Sequence, residues 1–291
     1  MPSSAPRRFS VVLARIRVPL MWLAMAALCA GYLGLSWWVG GVLLVVALVV
    51  HLRLGTPRCA PRVLAPPVRG RWMALTSPVD NVPSQGTHAY GQTHALGLVA
   101  EDGSRPDIGW RPLSRPPADF PAFGAPVYAP ATGTVVRVRD RRRDHRSRNS
   151  WPWLFGSVLE NTLRELTGPS GLIGNHVVID VGGTYVLLGH LRRGSILVTP
   201  GDRVEVADPI ARCGNSGACT EPQVRMQLMD LPSPLFAAGL PFVWGSGWNA
   251  AAPGTAGLPE TWRPVEIIHP DDVFAGQGGS TKDYPGQVRR T

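Results

Sequence analysis

The stretch that decides the fold is Cys213-Gly-Asn-Ser-Gly-Ala-Cys-Thr-Glu-Pro-Gln-Val-Arg-Met-Gln-Leu-Met-Asp230, a glycine-containing turn followed by alternating residues. Residues two apart on a β-strand point to the same face. One face therefore carries Gln223, Arg225 and Gln227. The other face carries Val224, Met226 and Leu228. We expect the apolar face to pack in the core and the polar face to line a site.

The composition favours a β-rich chain with many loops. The 291 residues include 33 glycines and 29 prolines, which suits short strands and turns better than a helical bundle. The formal charge is +9, and arginine supplies nearly all of it because Lys282 is the only lysine. A basic balance favours anionic surroundings such as lipid headgroups or wall polymers. No basic and aromatic motif of a nucleic-acid module is present, so we expect no nucleic-acid partner.

Two of the four cysteines, Cys213 and Cys219, flank the turn of the opening stretch. Across a tight hairpin their Cα atoms could approach to within about 4.4–6.8 Å, the separation that a disulfide needs. A disulfide there would indicate an oxidising compartment. Two free thiols are the alternative. A zinc site is not expected at this pair, because it lacks further His or Cys partners.

A long apolar run near the start predicts a transmembrane segment. Residues 1–17 form a basic tail, and residues 18–52 follow with no charged residue between Val18 and Val50. That length exceeds the core of a signal peptide. Glycines and two tryptophans in the middle favour a hairpin of helices at about 19–34 and 37–51, each about 24 Å long. One long tilted span is the alternative.

The two topologies differ in where they place the rest of the chain. Arginines on both flanks of the run favour a hairpin with both ends at the cytoplasmic side. A single span would place the remainder outside the cell, which a wall-directed function requires. We predict membrane localisation with an extracytoplasmic soluble domain, although the sequence alone leaves the side of the membrane open.

The remainder of the chain predicts one antiparallel β domain with extensions. A Pro- and Arg-rich linker covers residues 53–71, the domain covers 72–243, and a C-terminal extension with a flexible tail covers 244–291. Within the domain, Gly182-Gly183 predicts a hairpin turn. An insertion at 139–170 carries an arginine run and then a helical pattern at 154–166. The run is either a solvated loop or a contact for anionic polymer or headgroups.

Several segments occur in the order found in a known family. They are Ala125–Val136, Gly174-Asn-His176-Val-Val-Ile-Asp180, Tyr185–Leu191, Val198–Val204 and Ile210–Gly217. Together they resemble the lysostaphin/LytM-type zinc metalloendopeptidases, many of which cleave peptidoglycan cross-bridges. The resemblance covers about residues 72–243 and implies that family's antiparallel β fold.

The resemblance also implies a zinc site that this sequence does not complete. The family holds zinc with His, Asp and the second His of a His-x-His pair, and two further histidines assist the attacking water. His88 matches the first ligand, with His94 as a weaker candidate. The Asp falls near Gly97, and the His-x-His pair falls on Gln223 and Arg225.

A guanidinium has no lone pair for a metal and stays charged, so Arg225 opposes zinc directly. The assisting His on the neighbouring strand is matched by His190, the one catalytic position retained, and His176 is expected to lie in the same groove. Zinc is therefore expected in active relatives and no cofactor is expected here.

Three functions follow from these residues. The first is a membrane-anchored pseudoenzyme that binds wall peptides or an envelope partner, with Arg225 holding a carboxylate. The second is an active peptidoglycan hydrolase with a rearranged site built from His88, His94, His176 or His190. The third is a non-enzymatic envelope protein whose arginine run contacts lipid or polyanion.

Overall fold

The computed structural model describes residues 8–34, 36–153, 156, 168–249 and 256–268. Two helices come first: α1 (Arg8–Gly31) and α2 (Trp37–Leu52). They pack against each other as a hairpin. The first helix begins at Arg8, well before the predicted residue 19, because Arg15 and Arg17 find partners in the β domain and need not stay in water. Within the described residues, α1 is long and apolar enough to cross a membrane, and α2 is shorter.

The strands are short and almost all antiparallel. In chain order they are β1 Arg62–Leu64, β2 Gly70–Thr76, β3 Leu96–Ala100, β4 Pro126–Tyr128, β5 Gly133–Arg139, β6 Asn175–Asp180, β7 Tyr185–Leu191, β8 Arg203–Val204, β9 Pro209–Arg212, β10 Val224–Met229, β11 Gly239–Leu240, β12 Phe242–Trp244 and β13 Pro264–Ile267. A third helix, α3, is short (Pro169–Ile173). The predicted mainly β, antiparallel fold class is confirmed.

A nine-stranded antiparallel sheet organises the domain. Its order is β13-β2-β3-β10-β7-β6-β5-β8, and β11 pairs with β10. Two small sheets accompany it: β1 pairs with β12 in parallel, and β4 pairs with β9 in antiparallel fashion. The predicted turn at Gly182-Gly183 joins β6 to β7, and the Asp180 carboxylate accepts hydrogen bonds from both glycine amides at 2.9 Å.

Alternation along the strands divides the sheet into an apolar and a functional face. The main core contains the apolar side of β10 together with inward residues of the neighbouring strands: Val224, Met226, Leu228, Leu96, Leu98, Val177, Ile179, Val186 and Leu188. Trp244 and Trp248 cover this side, with ring centroids 5.1 Å apart. The opposite side of β10 carries Arg225 and Gln227, as the sequence predicted.

Two predicted domain boundaries are wrong. The Pro-rich segment 53–71 is not a free linker, because β1 pairs with β12, and Leu64 and Val68 are buried in the core. The segment after residue 243 also belongs to the domain, since Trp244 and Trp248 are core residues and β13 pairs with β2. Proline and glycine are common both in linkers that cross solvent and in extended segments that pack on a core, so composition alone does not distinguish the two.

The arginine run is attached to the sheet and is not simply a solvated loop. The Asp144 carboxylate accepts a hydrogen bond from the Asn215 amide at 2.7 Å. The Asn175 side chain accepts one from the Arg142 amide at 2.8 Å and donates to the Arg142 carbonyl at 2.8 Å. The helix predicted at 154–166 falls mainly on residues outside the described part of the chain, as do His269 and the tail.

The helical hairpin is fixed to the β domain by two arginines. Arg15 forms a salt bridge with Asp230 at 2.7 Å. Arg17 is buried, and its guanidinium donates to the carbonyl oxygens of Val50 (3.1 Å), His88 (3.0 Å), Leu54 (2.6 Å) and Gly55 (3.2 Å). The hairpin and the functional face of the sheet are therefore parts of one packed unit.

Candidate functional site

Sheet register brings together three of the positions that the sequence singled out. Arg225 of β10 lies opposite Gly97 of β3 and opposite Gly189 of β7. Gln223 precedes β10 on the same side. A Cβ atom added at Gly97 would lie 3.1 Å from Gln223 Oε1 and 2.9 Å from Thr76 Oγ1. The space beside Gly97 is therefore filled by these neighbours, and an aspartate there would need them to move.

Arg225 is a buried cation held by two glutamines. It is only 7% exposed, and its guanidinium donates to Gln85 Oε1 at 3.1 Å and to Gln92 Oε1 at 3.4 Å. Its Nε–H has no acceptor among the described residues. Burial lowers the pKa of Arg225 to about 10, so it remains charged at neutral pH.

No carboxylate in the described chain neutralises Arg225. The acidic side chain that lines the same cavity, Glu221, is committed to Arg105 at 2.6 Å. Burial raises the pKa of Glu221, and the hydrogen bond from Arg105 opposes that rise. Because an unpaired buried charge is unfavourable, an anionic ligand beside Arg225 would be stabilised.

His190 lies at the end of β7 as a neutral imidazole. It is fully buried, with a φ of 60° in the left-handed region. Its Nδ1 contacts the Ser216 carbonyl at 2.8 Å, and since a carbonyl only accepts, Nδ1 carries the proton. Nε2 has no partner among the described residues. Burial, followed by the charge of Arg225, holds the pKa of His190 well below its usual range.

His88 lies at the hairpin junction and not in the groove. Its amide donates to the His51 carbonyl at 2.9 Å, its carbonyl accepts from Arg17, and its Nδ1 is 3.2 Å from Thr93 Oγ1. Burial and the Arg17 charge lower the pKa of His88 to about 4. The prediction that His88 faces the metal position is thus wrong, because its loop packs on the hairpin.

His176 also lies apart from the predicted groove. It lines a separate cavity with Arg137, Arg139 and Arg142, and its Nδ1 contacts the Gly174 carbonyl at 2.8 Å. Burial lowers the pKa of His176 to about 4. His94 has a pKa of about 4 for the same reason. The four histidines proposed for a rearranged hydrolytic site therefore do not converge on one point.

The polar positions open into a cavity of about 740 Å³, here called the groove. Gln85, Gln92, Gln223 and Arg225 lie on one side of it, and Trp262 lines it as well. The end of α2 contributes His51 and Leu52. A ligand in the groove would therefore contact the helical hairpin as well as the sheet.

The residues at the family's metal position do not fit zinc. Zinc in proteins is bound by imidazole, thiolate or carboxylate. Here Gly97 offers no side chain, Gln223 offers an amide and Arg225 offers a cation. Among the described residues, no three His, Cys, Asp or Glu side chains are close enough together to hold a metal. The arrangement suits an anion at Arg225 better than a metal cation.

Of the two alternatives for Cys213 and Cys219, the structure has the free thiols. Cys213 packs in the main core, and burial raises the pKa of its thiol well above the usual value. Cys219 lies at the groove, where its Sγ is 3.0 Å from Asn215 Oδ1. The turn between them is not a two-strand hairpin: Cys213 pairs with Leu191, and Gly214 pairs with Gln223.

Sequence reasoning missed the two glutamines that hold Arg225. Gln85 and Gln92 lie in a loop before β3, where no periodicity fixes side-chain direction. The feature of the sequence that could have indicated them is the cluster of uncharged polar residues around Gly86 and Gly91. Trp262 is 54% exposed and lines the groove.

Comparison with known proteins gives structural matches only. No family model matches the chain, and neither does a curated protein. A zinc-containing peptidase from Vibrio cholerae is 19% identical over 63% of this chain and 40% of that chain, with a TM-score of 0.32. The catalytic domain of lysostaphin from Staphylococcus simulans is 16% identical over 57% of this chain and 84% of that chain, with a TM-score of 0.31.

A third similar structure is the SpoIIQ–SpoIIIAH pore-forming complex, 12% identical over 62% of this chain and 89% of that chain, with a TM-score of 0.34. Lysostaphin, whose family the sequence motifs resemble, is thus among the similar structures. The chain spans less than half the length of the Vibrio peptidase. What the groove can bind is therefore argued from its own residues.

Proposed function

We propose that this protein is a membrane-anchored, peptidase-like module that binds a peptide carboxylate with Arg225 and does not hydrolyse the peptide. The observation that carries the proposal is the charge of the groove. Arg225 is buried, stays protonated and has no carboxylate partner in the described chain. A ligand carboxylate would supply the missing charge in a setting where charge-assisted hydrogen bonds are strong.

The guanidinium retains donors for such a ligand. Two of its five N–H groups are engaged by Gln85 and Gln92, which orient the plane of the group. One N–H remains on each Nη, and these two can bind one carboxylate through both oxygens. The glutamines thus position the guanidinium group without neutralising its charge.

Loss of hydrolysis follows from the same residues. A metal-bound water needs an open position on a cation that the site holds, and Arg225 repels a cation from that place. His190 retains an unprotonated Nε2, but it lies beside Arg225, whose charge disfavours its protonation. His190 is therefore poorly suited to take up a proton from a water during attack.

The ligand class is a peptide with a free carboxylate. A wall peptide is one source, in keeping with the family that the motifs resemble, and a segment of an envelope protein is the other. The groove reaches the end of α2, so the ligand would bind close to the bilayer. No zinc or other cofactor takes part in this proposal, and no nucleic acid is involved.

A pair of peptides that differ only at the terminus tests the proposal. Full-length protein in neutral detergent is titrated with a soluble peptidoglycan stem peptide that ends in a free carboxylate, and with its C-terminal amide. We expect the acid to bind at least tenfold more tightly than the amide, which corresponds to about 1.4 kcal/mol. Arg225→Gln should remove this difference.

The matched control is Arg203→Gln, which removes one exposed arginine on β8 and leaves the groove intact. It should preserve the preference for the acid. Equal affinities of the wild-type chain for acid and amide would overturn the proposal, and so would an unchanged preference in Arg225→Gln.

No comparable observation supports the other two hypotheses, an active hydrolase and a purely structural protein. A rearranged hydrolytic site would draw on His88, His94, His176 or His190, but His88 packs at the hairpin junction and His176 lines the second cavity. A purely structural role gives no reason for a buried cation without a counter-ion in a cavity of this size.

A further inference from the structure

A second cavity, of about 350 Å³, lies on the same face of the sheet as the groove and is here called the arginine cavity. Its lining includes Arg137, Arg139, Arg141, Arg142, Ser170 and His176. Arg139 of β5 is paired with His176 of β6, and Arg137 is paired with Val178. Helix α3 stands between the two cavities, with Ser170 in one lining and Leu172 in the other.

The arginine cavity gathers positive charge, and three of its arginine side chains have no acidic partner among the described residues. The side chains of Arg137, Arg139 and Arg141 make no hydrogen bond or ion pair with any described residue. Two carboxylates of the arginine run are engaged elsewhere: Asp140 accepts from the Gly194 amide at 2.8 Å, and Asp144 accepts from the Asn215 amide. Several like charges on one concave surface repel one another, so a multivalent anion would be stabilised there.

The backbone around the cavity is fixed, so the arginines are held together. The Asn175 side chain bonds both the amide and the carbonyl of Arg142. Strand pairing holds Arg137 and Arg139 on one face, where His176 lies directly across from Arg139. His176 is neutral near pH 7 and adds a polar ring with no charge of its own.

We propose that the arginine cavity binds the phosphate of a phospholipid headgroup. Phosphate presents several oxygens, so it can accept hydrogen bonds from more than one guanidinium group. A single carboxylate engages only one guanidinium. The location favours a lipid source. Ser233 and Pro234 line the cavity, and the turn Pro234–Phe236 packs against α1. The cavity therefore lies beside the apolar hairpin, and the membrane insertion proposed above would bring it to the level of the headgroups.

Soluble short-chain lipids test this binding in the intact protein. Full-length protein in neutral detergent is titrated with dihexanoyl phosphatidylglycerol, with dihexanoyl phosphatidylcholine and with inorganic phosphate. We expect the anionic lipid to bind most tightly. The double variant Arg137→Gln/Arg139→Gln should weaken that binding at least tenfold, because two charge-assisted hydrogen-bond donors are lost.

The matched control removes the same charge from elsewhere. Arg193→Gln/Arg203→Gln replaces two exposed arginines outside the cavity and should leave lipid binding unchanged. Equal weakening in both double variants would show a diffuse charge effect and overturn the site. Inorganic phosphate binding as tightly as the anionic lipid would overturn the lipid source. Absence of lipid binding to the wild-type chain would overturn the proposal altogether.

Discussion

At the residue scale, the buried charge of Arg225 decides what the groove stabilises. A cation at this position needs an anionic partner, and the described chain provides none. Gln85 and Gln92 satisfy two donors but leave the charge in place. The protein therefore carries an energetic cost at Arg225 that a ligand can relieve.

This cost predicts a trade between stability and binding. Arg225→Met should raise the free energy of unfolding by about 1 kcal/mol or more, because a buried unpaired charge is replaced by an apolar chain of similar length. The same change should abolish the preference for a peptide carboxylate. Urea unfolding in neutral detergent measures the first effect, and peptide titration measures the second.

Arg105→Met is the matched contrast. Arg105 is paired with Glu221, so its loss leaves a buried carboxylate alone and should lower the free energy of unfolding by about 3–5 kcal/mol. A destabilisation of similar size in Arg225→Met would contradict the view that Arg225 is unpaired.

Residues on strands were predictable from the sequence, and residues on loops were not. Gly97 and Arg225 lie at strand positions whose side-chain direction follows from the two-residue alternation of a β-strand. His190 lies at the end of β7, where its left-handed backbone breaks that alternation. His88 and the two glutamines lie in a loop, whose path depends on packing against the hairpin. His176 lies on the face of the sheet that the sequence predicts, but no pattern in the sequence indicates that α3 separates two cavities on that face.

At the scale of elements, the helical hairpin and the β domain are joined by Arg17. One guanidinium links the first helix, the end of the second helix and the loop that contains His88. The apolar pattern predicted the two helices. It did not predict their docking, because an arginine at the edge of an apolar run is equally typical of a headgroup contact.

Removing this link should loosen the junction. Arg17→Met deprives four carbonyl oxygens of their donor, and we expect a loss of at least about 2 kcal/mol in stability. Amide hydrogen exchange in residues 51–58 and 86–92 should rise, since the freed carbonyls are next to these segments. Arg53→Met, at an exposed position, should leave exchange unchanged. Unchanged exchange in Arg17→Met would contradict the assigned role.

At the scale of the whole molecule, a membrane-inserted hairpin predicts the topology. Both of its ends meet the β domain, so the N-terminus and the domain should lie on the same side of the membrane. Reporter fusions at the N-terminus and after residue 268 should therefore give the same result. Opposite results would contradict the hairpin. If both fusions report a cytoplasmic location, the groove would bind a peptide inside the cell and a wall peptide would no longer be a candidate ligand.

Buried histidines predict a stability that falls with acidification. The pKa values of His88, His94 and His176 are lowered to about 4 in the folded state, against an ordinary value near 6.5. Between these values the unfolded chain binds more protons than the folded chain, so unfolding becomes easier as the pH drops.

Each such histidine should lower the free energy of unfolding by up to about 1.4 kcal/mol for each pH unit of acidification between roughly pH 6.5 and 4. Urea unfolding at a series of pH values measures the slope, and His176→Gln should reduce it. A free energy of unfolding that stays constant between pH 7 and 5 would contradict the burial of these side chains.

The measurement that tests the central claim most directly is the zinc content of the full-length protein, purified without chelators, together with mass spectrometry of wall peptides incubated with it. A groove built around Arg225 predicts far less than one zinc per chain and intact peptides. Near-stoichiometric zinc accompanied by peptide cleavage would contradict the account.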